Sequence, residues 1–198
     1  MDKSYWEKYY EKFGEPFHPS EFAKFAMGYL SEGDVVLELG SGNGRDAIFF
    51  GANGIKTIGL EQCQNIVDDL NAKDFDNVEF KSRDFSLPQM EFKNNHVYSR
   101  FTLHSVPDDV ATRTLKCTRE ALNGYFFIEV RSDKDALVGK KTDHYRRFVS
   151  FEDLLKELIE IGFRIHYAHL SRGFSEYNSK FGVDNNEKDP MLIRIVAS

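Results

Sequence analysis

The chain has 198 residues, 41% hydrophobic and 29% charged, with a formal net charge of -6 and a pI of about 5.6. That composition supports one folded domain and excludes both a disordered chain and a small disulfide scaffold. The acidic balance argues against a broad nucleic-acid footprint, and no apolar run reaches the roughly 18 residues that a membrane-spanning helix needs.

The first residues, Met1-Asp2-Lys3-Ser4-Tyr5-Trp6, are charged and aromatic, unlike a secretory signal, so a cytoplasmic protein is expected. Tyr5, Trp6, Tyr9, Tyr10 and Phe13 recur at helical spacing and predict a helix over residues 4–13. Pro16 and Pro19 break it, and Ser20 caps a second helix carrying Phe22, Phe25, Ala26 and Tyr29. Gly33-Asp34 turns the chain into Val35-Val36-Leu37-Glu38-Leu39, a short apolar run of the kind buried on both faces of a sheet. A glycine loop follows, then a helix over residues 45–52. The second strand, 56–60, ends at Glu61 and leads to a helix over 64–73; Cys63 lies between them. The third strand, 78–83, ends at Asp84, and a fourth covers 96–101. Pro107 starts a helix, containing Cys117, that runs to about residue 122. The two cysteines lack a CxxC or a histidine partner and are read as reduced thiols. A fifth strand covers 124–130, and residues 131–149 are polar and irregular. Ser150 caps a helix over 151–161, which Gly162 ends. Two strands, 164–170 and 191–197, close the series, with 171–190 as a long hairpin connection. Strands alternating with helices predict a mostly parallel sheet with helices on both faces.

Three features carry chemistry. Gly40-Ser41-Gly42-Asn43-Gly44 joins a strand to a helix, which lets backbone approach a ligand that faces the free N–H groups of the new helix. Glu61 lies about twenty residues on, at a strand end, where an acid accepts hydrogen bonds from ribose hydroxyls. Asp84 ends the third strand and can take an adenine amine, with Phe85 covering the ring. Each acid alone is more often just a solvated strand end; with the glycine loop, at successive strand ends, they face one crevice. Arg45 occupies the place of the third small residue of a dinucleotide loop, so a pyrophosphate is disfavoured. A phosphate-binding G-K-[ST] is missing.

The segment from Val35 to Asp46 resembles the first motif of the class I S-adenosylmethionine-dependent methyltransferases. Glu61 matches that family's ribose ligand, and Arg83-Asp84-Phe85 resembles its adenine-contacting segment. Ser41 stands where a cysteine is commoner. The resemblance implies a Rossmann-like seven-stranded sheet with its last strand antiparallel, as a single domain: residues 1–32 form a helical cap and 33–198 the core. It implies S-adenosylmethionine as cofactor, leaving as S-adenosylhomocysteine. The expected cofactor-binding residues are Glu38, Gly40, Gly42, Asn43, Arg45, Asp46, Glu61, Asp84, Phe85 and Arg100.

The acceptor side is expected beyond the fourth and fifth strands. Tyr98, Arg100 and His104 at the fourth strand's tip are the candidate catalytic residues. His144-Tyr145-Arg146-Arg147-Phe148 precedes a capped helix, and arginines there suit an anion. His144, Arg146 and Arg147 are the candidate substrate-binding residues, with Tyr5 and Trp6 as an aromatic lid that also includes Tyr9. The expected reaction is O-methylation of a small anionic acceptor, phosphoryl or sugar-linked. The two segments also resemble small bacterial methyltransferases of surface-polysaccharide synthesis, some of which modify a capsule phosphoramidate. N- or S-methylation, methylation of a metalloid anion and a non-catalytic cofactor-binding module stand as alternatives. No nucleic acid or membrane insertion is expected.

Overall fold

The apolar run Val35–Leu39 forms β1, the middle of a seven-stranded sheet ordered β3-β2-β1-β4-β5-β7-β6. The computed structural model describes residues 3–13, 18–87, 96–141, 144–172 and 189–198. The other strands are β2 (Lys56–Glu61), β3 (Val78–Ser82), β4 (His96–Arg100), β5 (Phe126–Arg131), β6 (Ile165–Arg172) and β7 (Met191–Ala197). Pairing is parallel from β3 to β5, while β7 runs antiparallel to both β5 and β6. The expected fold, mostly parallel with the last strand reversed, is the one found. The expected hairpin connection falls largely on 173–188 and Pro16 on 14–17, both outside the described residues.

The helices are α1 (Lys3–Phe13), α2 (Glu21–Met27), α3 (Arg45–Ala52), α4 (Gln64–Asn71), α5 (Asp108–Ala121) and α6 (Phe151–Ile161). Alternation along β1 explains the layers. Val36 packs with Phe22 and Ala26 of α2 and Phe50 of α3, whereas Leu37 and Leu39 pack with Leu115 of α5 and Leu154 and Leu158 of α6. Burying side chains such as Leu115 and Phe50 contributes roughly 1.5–3 kcal/mol each. No helix among the described residues is long and apolar enough to cross a membrane.

The second helix starts where the serine foretold it. Ser20 is the N-cap, its hydroxyl accepting from the Ala23 N–H. Its own N–H and hydroxyl donate to the two oxygens of Asp46, each at 2.8 Å. The Tyr98 hydroxyl of β4 donates to the same carboxylate at 2.9 Å. One serine thus caps a helix and helps to satisfy a buried charge on another. Ser20→Ala should cost about 1–3 kcal/mol, the sum of a lost cap and an under-satisfied carboxylate. Urea unfolding measures it; a loss below about 0.5 kcal/mol, the scale of a surface substitution, would contradict this role.

Candidate active site

The parallel strands all end on one edge of the sheet. After β1 the chain winds outward to β2 and β3, then returns to place β4 on the other side of β1. Ligands of open α/β sheets sit in the crevice at such a reversal, outside the carboxyl ends of the strands. A cavity of about 370 Å³ opens there. Its walls come from the ends of β1, β2, β4 and β5, the glycine loop, the α1 aromatics and the segment 144–146.

Gly40 and Gly42 both adopt left-handed backbone, with φ of +69° and +56°. A Cβ on Gly40 would run into Thr102, and one on Gly42 into Tyr10 of α1. The loop is therefore a bare backbone floor. Beside it, Glu61 accepts the N–H groups of Gly42 and Cys63, each at 3.0 Å. Glu38 is buried, and its Oε2 has no hydrogen-bond partner among the described residues. Burial, then the charge of Asp46, raises the Glu38 carboxyl well above the usual carboxylate range. Asp46 goes the other way. Burial would raise it, but Arg45, Arg100 and the bonds from Ser20 outweigh that and hold it below the usual range.

The opposite half of the cavity is cationic. Arg100 at the end of β4 pairs with buried Glu129 at 2.8 Å, and Glu129 also accepts from buried Arg194 at 2.7 Å. The Arg100 guanidinium lies 4.2 Å from the ring centre of Phe101. Phe101 itself sits at φ +61°, a conformation unfavourable for a bulky side chain and worth roughly 1–3 kcal/mol of strain. Arg131 ends β5 and donates to Asp135 at 3.0 Å. His104 follows in a short 3-10 turn, Leu103–Ser105. Burial, and then Arg131, Arg146, His144 and Arg147, hold its ring well below the ordinary histidine range. His144 lies 4.6 Å from Tyr5 and 5.0 Å from Trp6, centre to centre, and its Nε2 meets Arg146 at 3.1 Å.

Most of the residues singled out in the sequence meet in this cavity. Glu38, Gly40, Gly42, Asn43, Arg45, Asp46, Glu61 and Phe85 line one part of it. Arg100, His104, His144, Arg146, Tyr5 and Trp6 line the other. Three are placed elsewhere. Tyr98 is fully buried between Phe22 and Phe50, two residues short of the strand end that brings Arg100 to the cavity. Burial, then Asp46, keeps its hydroxyl protonated to a pH well above the usual tyrosine range. Asp84 turns back on its own chain and accepts from the N–H and hydroxyl of Ser86 at 2.9 and 2.8 Å. Arg147 faces away and pairs with Asp108 of α5. Residues 144–148 run without helix or strand, and of the two neighbouring arginines only Arg146 lines the cavity.

Tyr10, Gln62, Phe101, Ser105 and Arg131 line the cavity without having been singled out. Gln62 and Arg131 had a usable signal, since each stands at the carboxyl end of a parallel strand. β5 runs one residue past its expected limit, and that residue is Arg131.

Residues 5–172 match a family model described as a methyltransferase domain. No curated protein matches the chain. The chain is similar to an S-adenosylmethionine-dependent methyltransferase from Mesorhizobium loti, with a TM-score of 0.68 and 18% identity over 88% of this chain and 97% of that one. It is also similar to a TehB-like methyltransferase from Corynebacterium glutamicum, with a TM-score of 0.69 and 17% identity over 98% of both chains. A third is the 1,6-didemethyltoxoflavin-N1-methyltransferase of Burkholderia thailandensis, bound to 1,6-didemethyltoxoflavin and S-adenosylhomocysteine. Its TM-score is 0.69 at 17% identity, over 89% of this chain and 75% of that one. At these identities the likeness is one of fold, and the family model spans most of the sequence: the chain belongs to the methyltransferase domain family.

Proposed function

We propose that this methyltransferase uses S-adenosylmethionine to methylate an oxygen of a small anionic acceptor. The observation that carries the proposal is the division of one cavity into two kinds of wall. Bare glycine backbone, the buried carboxyls Glu38, Asp46 and Glu61, and Arg45 line the β1–β2 side; Arg100, Arg131, Arg146 and the imidazoles of His104 and His144 line the β4–β5 side.

The residues at the first end fit the cofactor. Glu38 Oε2 is a buried acceptor without a partner among the described residues, suited to the methionine ammonium. Glu61 keeps lone pairs beyond its two amide bonds, suited to ribose hydroxyls. Phe85 offers an apolar face to adenine, and the Gly40–Gly42 floor admits close backbone contact. Arg45 stands by for the methionine carboxylate. When bound, the cofactor supplies a methyl group already activated on a positive sulfur. The chain's own part is to hold, align and exclude water from the acceptor. Arg100, Arg131 and Arg146 would orient an anion, and the α1 aromatics Tyr5 and Trp6 would cover it. A phosphoryl or sugar-linked group of surface-polysaccharide synthesis, in the cytoplasm, is the acceptor class we favour. The resemblance of residues 98–104 and 144–148 to that group of enzymes supports it.

Glu38 gives the cofactor assignment a definite pH signature. Burial and the charge of Asp46 make its carboxyl hold a proton to higher pH than an ordinary carboxylate, and an ammonium needs it ionised. Affinity for S-adenosylmethionine should therefore rise with pH, with proton release on binding, and level off once pH exceeds the free-protein value. Glu38→Gln should weaken binding about tenfold and flatten the dependence. Calorimetry in buffers of different ionisation enthalpy measures both; affinity that is flat with pH and unaffected by the substitution sinks the assignment. A protein that binds neither S-adenosylmethionine nor S-adenosylhomocysteine contradicts the function as a whole.

For the acceptor end, Arg146→Ala should lower turnover about 10- to 100-fold while cofactor affinity holds. Arg147→Ala, off the cavity lining and paired with Asp108, should leave turnover within about twofold. The assay follows labelled methyl onto a panel of phosphorylated and phosphoramidate-bearing sugars. Equal turnover in wild type and Arg146→Ala refutes the anion site.

A further inference from the structure

The proton arrangement on His104 follows from its neighbours. The backbone N–H of Arg131 donates to His104 Nδ1 at 3.2 Å. A donor can be received only by a bare ring nitrogen, so the ring's hydrogen is on Nε2. A charged ring would carry hydrogens on both nitrogens and lose this bond. The carbonyl of His104 accepts the Arg147 N–H at 2.9 Å, which ties the 3-10 turn to the segment carrying His144 and Arg146. Charge reaches the ring from Arg131 of β5 and from His144, Arg146 and Arg147 of that segment. Phe101 stands 5.2 Å away, centre to centre. His104 lines the cavity, and Nε2 makes no bond to any described residue. His144 has the mirror arrangement: a guanidinium only donates, so its Nε2, which meets Arg146, is the bare nitrogen.

We propose that His104 acts as a hydrogen-bond donor through Nε2–H and not as a base, so that the site takes an acceptor oxygen already ionised, as in a phosphoryl or phosphoramidate oxyanion, and rejects a neutral sugar hydroxyl. This rests on the methyl-transfer reading above and decides between two acceptors it leaves open. The balance of the step agrees. The oxyanion forms its bond to the methyl carbon as the carbon–sulfur bond breaks, and the electron pair of that bond stays on sulfur. The oxygen's negative charge and the sulfur's positive charge are both removed, and no proton moves. A hydroxyl acceptor would add one proton that must leave. His104 cannot take it, because Nε2 already carries hydrogen and Nδ1 is held by Arg131. The cavity carboxyls Glu38, Glu61 and Asp46 lie at the ends of β1 and β2 and in the first turn of α3, in the glycine-loop half, and Asp46 is already held by Ser20, Tyr98 and Arg45.

The tautomer can be read directly, without turnover. In protein labelled with ¹⁵N at histidine, His104 should show Nε2 protonated and Nδ1 bare, unchanged from about pH 8 to about pH 5.5, the range in which an ordinary histidine charges. Inorganic phosphate should move the Nε2–H signal. A ring protonated on Nδ1, or one that titrates at the ordinary value, overturns the proposal even if Arg146→Ala behaves as expected. A correct tautomer that ignores phosphate overturns the oxyanion part. Among variants, His104→Gln places an amide N–H near Nε2, and should keep turnover on a phosphorylated acceptor within about tenfold of wild type. His104→Ala should lose about 100-fold. A base would give the opposite pattern, with Gln as inactive as Ala and activity rising with pH through the histidine ionisation. Folding stability gives a check independent of substrate. His104 has a depressed value, so below about pH 6.5 the unfolded chain takes up a proton that the folded ring refuses. Stability should fall as pH drops from there, and less steeply in His104→Gln; equal slopes count against the neutral ring.

Discussion

The Asp46 carboxylate is the charge on which the site's geometry depends. It is buried at the first turn of α3 and accepts from Ser20 twice, from Tyr98, and from Arg45 Nε at 3.1 Å. A buried carboxylate without donors would neutralise or disrupt its surroundings, and removing one partner from a buried ionic group costs about 3–5 kcal/mol. The donors come from the cap of α2, the middle of β4 and the start of α3. Satisfying one charge therefore fixes the angle at which three elements meet beneath the cavity floor. It also sorts two acids. Asp46 takes the donors and stays ionised, and its charge, after burial, pushes Glu38 upward. Carboxyls whose environments drive them apart can hold different tasks. Here one is structural, and the other keeps an empty acceptor turned to the cavity.

The depth of a residue along its strand then decides what it does. Tyr98 and Arg100 share a face of β4 and differ by one pleat repeat. Tyr98 lies under α2 and α3, where a phenol must find a partner; Arg100 clears the helices and reaches the crevice. Glu38 stands opposite Tyr98 in the register but lines the cavity, because its strand gives way to glycines two residues on. Sequence patterning registered these strands because the apolar runs end in glycine or charge. Existence, direction and limits of β1, α3, α6 and β7 were legible for that reason. So was the glycine loop, whose function is in its backbone.

Side-chain direction outside regular elements was not legible. Arg146 and Arg147 are neighbours of one chemistry, yet in the irregular segment 144–148 one is a cavity residue and the other an ion pair with Asp108. Asp84 could have faced adenine, yet Ser86, two residues on, offers it two donors, and local bonds form without long-range closure. Arg131 was hidden by one residue of strand length. The state of His104 is set by an N–H twenty-seven positions away, a relation that exists only once β4 and β5 are paired.

The two halves of the cavity are chemically opposed, and the opposition bears on how the proposed reaction would turn over. Carboxylates at the glycine loop suit the positive groups of the cofactor, while arginines and a donating imidazole suit a negative acceptor. Transfer of a methyl group between such partners removes one positive and one negative charge. A desolvated cavity favours that step, because charges poorly solvated by the protein are lost as the bond forms. The products then hold less charge for the same arginines to grip. Arg100 is shared with Glu129, and Arg131 with Asp135, so neither is left as an isolated buried cation when the anion is gone. The internal carboxylates thus moderate the anion site: they let it attract an ionised oxygen without trapping the neutralised product.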